Sequence, residues 1–184
     1  MTRFVLGAWL LMAVAGGSIQ KPAVTDPFEP VAFLIGKWEG TSEGQPGQGT
    51  VRREYTRILN GRFVHVRNRS EYPAQEKNPK GEIHEDEGFY SFDKARKRIV
   101  FRQFHVEGFV TTYVEDGPAP SRAEASPSTK IVFISESIEN IPAGFRARET
   151  FVARGADALE EVFEMAEPGK PFEVYSRTRL TRIK

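Results

Sequence analysis

The chain has 184 residues, 39% hydrophobic and 28% charged, the composition of a globular protein long enough to bury a sizeable core. Its formal net charge is only +1, and acids and bases are interspersed, so no basic stripe marks a nucleic-acid surface. It has no cysteine, which excludes disulfides, thiolate metal sites and a lipid-modified N-terminal cysteine.

Arg3 precedes an uncharged apolar run from Phe4 to Gly17, and Ala13-Val14-Ala15 is a small-x-small cleavage pattern. This order predicts a secretory signal peptide over residues 1–15, and with it a periplasmic or extracellular destination. The run is too short for a comfortable transmembrane helix, and no later segment could span a membrane. Residues 16–32 contain Pro22, Pro27 and Pro30 and read as a linker, with a short turn of helix at 31–34 covering one end of the following domain.

That domain, residues 33–184, is a series of short strands separated by turn chemistry. The strands are expected at 37–43, 49–59, 61–72, 82–92, 97–106, 109–115, 129–137, 144–153, 159–166 and 171–183. Asn60-Gly61 is a hairpin signal, and Glu107-Gly108, Arg154-Gly155 and Pro168-Gly169 mark other tight connections. The segment 116–128, with three prolines, reads as a long mobile loop. No stretch holds a helical period. A meander of this length leaves exposed edges unless it closes, so the expectation is all-β, a ten-stranded antiparallel up-and-down barrel. A β-sandwich is the runner-up.

Several strands carry polar groups on both faces. Phe63, His65, Arg67 and Arg69 share one face of the third strand, and Val64, Val66, Asn68 and Ser70 share the other. In the last strand, alternation puts Glu173, Tyr175, Arg177 and Arg179 on one face. Buried polar groups are costly unless paired, so a mixed interior points to a cavity that holds a small ligand or water. Arg52, Arg53, Arg57, Arg67 and Arg69 are interleaved with acids and read as partly solvent-facing, with Arg67 or Arg102 available to an anionic ligand. Glu85, Asp86 and Glu87 divide between the two faces. A zinc site needs three or four ligands in tetrahedral reach, for which His84, Asp86 and His105 are candidates; satisfied wall histidines are the favoured reading.

Gly36-Lys37-Trp38 resembles the Gly-x-Trp start of calycin barrels. The segment Ile83-His84-Glu85-Asp86-Glu87-Gly88-Phe89 is similar to the Met-His-x-Glu-x-Gly-aromatic segment of the nitrobindin family. Residues 159–166, ending in Met165-Ala166, resemble that family's penultimate hairpin, and the order agrees from residue 33 onward. Exported calycin-like bacterial domains are resembled as well, through Gly36-Lys37-Trp38-Glu39-Gly40 and residues 58–63.

The resemblance implies that Trp38 closes one barrel end and that a basic residue of the last strand, Arg179 or Arg182, packs over it. Nitrobindins bind haem through a histidine of the last strand, isomerise peroxynitrite and bind nitric oxide. Carried over, the pocket residues are His84, Gln103 and Met165, and the axial position falls on Tyr175. Tyrosine ligates ferric haem as phenolate, so Tyr175 is the metal-ligand candidate, with Arg177 as the nearby charge that would favour ionisation.

The leading expectation is an exported barrel that binds a small hydrophobic or amphiphilic ligand. The alternative is a ferric haem protein, an enzyme of the peroxynitrite isomerase type only if haem is bound. A structural or interaction domain with a filled interior is the third reading.

Overall fold

The computed structural model describes residues 26–117 and 129–184. The signal peptide expected over residues 1–15, and residues 118–128 of the expected loop, lie outside the described residues. Ten antiparallel strands close into one barrel, each paired with its sequence neighbours, and β1 pairs with β10. They are β1 (Gly36–Gly44), β2 (Gly47–Ile58), β3 (Phe63–Tyr72), β4 (Glu82–Asp93), β5 (Arg98–His105), β6 (Val110–Glu115), β7 (Lys130–Glu139), β8 (Arg146–Ala153), β9 (Ala158–Ala166) and β10 (Glu173–Ile183). Closure leaves no free edge, which is how a meander this long avoids edge-to-edge association. Among the described residues no helix is long and apolar enough to cross a membrane.

The alternation read from the sequence sets the faces. In β3, Val64, Val66, Asn68 and Ser70 point in, and Arg67 is exposed on the other face. In β4, Asp86 is buried and its neighbours Glu85 and Glu87 are exposed. The β2–β3 connection runs through Leu59, Asn60 and Gly61, all with positive φ, which asparagine and glycine adopt readily and leucine does not.

The two halves of the barrel differ. At the end where β1 begins, a 3-10 helix, η1 (Glu29–Leu34), lies over the opening and buries Val31 and Leu34. Below it Trp38, Tyr55, Tyr90, Phe101, Phe133 and Phe151 belong to one apolar core. Gly88 is there because the Phe101 ring fills its side-chain space: a Cβ on Gly88 would lie 2.3 Å from Phe101 Cε2. Tyr90 stacks on Phe101 with ring centroids 4.1 Å apart.

Trp38 anchors the closed end by donating from Nε1 to the Leu34 carbonyl at 2.7 Å. The guanidinium over its ring belongs to Arg182, 4.1 Å from the ring centroid. Arg182 also donates to the carbonyls of Ile35 and Phe33, which ties η1 to the last strand. Arg179 does not take this role. It sits opposite Thr41, whereas Arg182 sits opposite Trp38, and its exposed side chain pairs with Glu43 at 2.9 Å. Of the two arginines considered, register selects the second.

Candidate functional site

The other half of the barrel is not filled. A cavity of about 470 Å³ opens there, within the range of small-molecule sites. Its floor lies mid-barrel and is polar: Arg53, Asn68, Asp86, Gln103, Glu149 and Glu161. Towards the mouth one part of the wall is apolar, with Phe109, Ile138, Ile141, Phe163 and Met165, and another part carries Glu82, His84 and Glu107.

Arg53 organises the floor. It is not solvent-facing, because it alternates inward with Val51 and Tyr55 on β2. Its Nη2 meets Glu161 Oε2 at 2.8 Å, with both side chains less than a tenth exposed. Its Nε donates to Asn68 Oδ1 at 3.0 Å, and Nη1 to the Tyr55 hydroxyl at 3.2 Å. Burial opposes its charge, but Glu161 beside it keeps the guanidinium firmly protonated. Glu149 is buried nearby. Burial and the neighbouring Glu161 push its carboxyl well above the usual carboxylate range.

Asp86 is the second centre. Gln103 Nε2 donates to Oδ1 at 2.9 Å and Asn68 Nδ2 to Oδ2 at 2.8 Å. Burial would raise its pKa, but these bonds, His84 and the Arg53 charge hold it below the ordinary value. His84 lies between two carboxylates, with Nε2 3.4 Å from Asp86 and Nδ1 2.8 Å from Glu107. Burial disfavours its charge, yet these partners win and raise its pKa to about 9. His105 stacks on Phe109 at 3.9 Å, and neither of its ring nitrogens has a hydrogen-bond partner. Burial lowers its pKa to about 4, so it is neutral. The expectation of satisfied wall histidines therefore fits His84 and fails at His105.

The structure brings His84, Gln103, Met165 and Tyr175 into one cavity wall and leaves Arg177 outside. The cause is a β-bulge between Val174 and Ser176. Tyr175 is the extra residue, so alternation restarts at Ser176. Ser176 and Thr178 then line the cavity, while Arg177 and Arg179 are exposed. The shared face read from the sequence does not survive the bulge. Tyr175 contacts Phe163 edge-on at 5.6 Å. Burial, Glu82, Tyr72 and Glu107 raise its phenol pKa, so no cation favours a phenolate there. Arg67 and Arg102 also point away from the cavity, Arg67 to Glu87 and Arg102 to Ser91.

The model of the THAP4-like, heme-binding beta-barrel domain family matches residues 27–182. The chain belongs to that family. Its barrel, like the family's, is a fold for holding a small molecule, and the calycin-type resemblance of the sequence is confirmed. No curated protein matches the sequence. Among solved structures, Rv2717c from M. tuberculosis superposes with a TM-score of 0.64 at 15% identity, covering 87% of this chain and 99% of that one. At that identity the likeness is one of fold.

Proposed function

We propose that this chain is an exported barrel that binds a small amphiphilic molecule, with its polar end on the Asp86–Arg53 floor and its apolar part against Phe109, Phe163 and Met165. The observation that carries the reading is the pairing of a cavity of about 470 Å³ with polar atoms left unpartnered in its wall, Gln103 Oε1 and the His105 ring nitrogens. Buried polar atoms without partners are rare, and a ligand or water in the cavity accounts for them. The polar floor speaks against a wholly hydrophobic ligand. Export rests on the pattern of residues 1–17, and N-terminal sequencing of the protein recovered from its host tests it.

Family membership supports haem as the second reading. The donor at the carried-over axial position does not fit it. A ferric haem held there needs a Tyr175 phenolate, and burial among acidic groups keeps that phenol protonated. Native mass spectrometry of protein taken from its host, beside a haemin titration followed in the visible range, separates the two. The expected result is a non-haem organic adduct and no Soret band that Tyr175→Phe removes. A Tyr175-dependent Soret band with one haem per chain would overturn the preference.

A further inference from the structure

His84, Asp86 and His105 form a compact group in the cavity wall. One ligand atom from each lies within 4.8 Å of the other two. The sheet produces this convergence. His84 and Asp86 are two apart on β4 and share the inward face, and His105 on β5 is the direct cross-strand partner of Asp86. The imidazoles of His84 and His105 are 5.5 Å apart, tilted by 40°.

We propose that these three side chains hold one divalent first-row transition ion, through Nε2 of His84, the Asp86 carboxylate and a ring nitrogen of His105, with an open coordination position towards the cavity. Two imidazoles and one carboxylate with a free position is the donor set of zinc and non-haem ferrous centres. The proposal deepens the ligand-binding reading and rests on it, since the ion would meet the polar end of the bound molecule.

Two independent observations point to an ion. The first is His105. An imidazole buried in a protein normally has a partner on at least one nitrogen, and this one has none. The rival account, a charged His84 bridging Asp86 and Glu107, satisfies His84 and does nothing for His105. An ion would give each ring a partner on one nitrogen.

The second is the shell around the three residues. Metal-bound histidines usually give their other ring N–H to a carboxylate, and His84 Nδ1 has Glu107 at 2.8 Å. Ligating carboxylates are themselves held by hydrogen bonds, and Asp86 receives one on each oxygen, from Gln103 and from Asn68. Each oxygen keeps a second lone pair for an ion.

The test is titration of the chelator-treated full chain with Zn(II) by calorimetry, and with Co(II) by visible absorption. Wild type should bind one ion per chain and show the ligand-field bands of a low-coordinate Co(II) site. His105→Phe keeps a ring to stack on Phe109 and should lose the site at unchanged melting temperature. Gln103→Ala, which only releases Asp86, should weaken Zn(II) by about 10- to 100-fold. Glu85→Gln, on the outer face of the same strand, should bind as wild type does.

No Zn(II) binding by wild type, or equal binding by His105→Phe, overturns the proposal. If His105→Phe is unstable, Gln103→Ala decides, and unchanged affinity there overturns the proposal as well. Native mass spectra separate this from the broader reading. An organic adduct without any bound metal ion sinks the metal site and leaves the ligand-binding barrel. A metal ion that binds where no organic adduct is ever found does the reverse.

Discussion

Arg53 on β2 and Glu161 on β9 meet inside the barrel, Nη2 to Oε2 at 2.8 Å, across the span occupied by β1 and β10. Both are almost fully buried, and the pair marks the boundary between the packed half and the cavity. The Arg53 charge also bears on Asp86 and Glu149 in this floor. Replacing it with methionine leaves buried carboxylates uncompensated and should cost about 3–5 kcal/mol. Chemical denaturation of Arg53→Met checks this. The double variant Arg53→Met/Glu161→Leu should recover a large part of the loss, because it removes the stranded charge with its partner.

Glu149 gives a prediction in pH. Its folded pKa is raised by burial and by Glu161, so ionisation costs stability as pH rises above the ordinary carboxylate value. Below that value the group is protonated in both states and costs nothing. Glu149→Gln should therefore be more stable than wild type at pH 7, with the advantage shrinking as pH falls towards 4. Denaturation midpoints across this range are the measurement, and a difference independent of pH would contradict the assignment.

The closed end offers a paired test. Arg182→Ala loses the contact with Trp38 and two hydrogen bonds to the η1 segment, and should cost about 1–3 kcal/mol. Arg179→Ala removes an exposed ion pair and should change stability by less than about 1 kcal/mol. Thermal denaturation of the two variants ranks them, and equal losses would deny Arg182 its anchoring role.

Gly88→Ala tests the packed half. The added methyl overlaps the Phe101 ring, which is fixed between Tyr90 and Tyr113. Overpacking should cost about 1–3 kcal/mol, and the near-ultraviolet circular dichroism of these aromatic rings should change with it.

The barrel was legible because its signals are local. Val64, Val66, Asn68 and Ser70 alternate without a break, and Asn60-Gly61 states its turn outright. The cavity wall was legible where strands stay regular, at His84, Gln103 and Met165. It failed where one residue changes the count. The bulge at Tyr175 reverses the faces of Arg177 and Arg179, and nothing in the residues 173–177 announces it. Arg53 was misplaced for another reason. Its neighbours Val51 and Tyr55 share its face and pointed inward, but the arginine became interpretable only with Glu161, which is remote along the chain and adjacent in space. Which arginine covers Trp38 is likewise a matter of β1–β10 register, which no local pattern fixes.

If the open half of the barrel is a ligand cavity, filling it should exclude the ligand. Met165→Trp should fill its apolar wall with little effect on the packed half. Native mass spectrometry of wild type and this variant, both recovered from the same host, is the most direct measurement. The expected result is a small-molecule adduct on wild type that the variant lacks at comparable thermal stability. Identical spectra, with no adduct on either protein or the same adduct on both, would contradict a ligand cavity there.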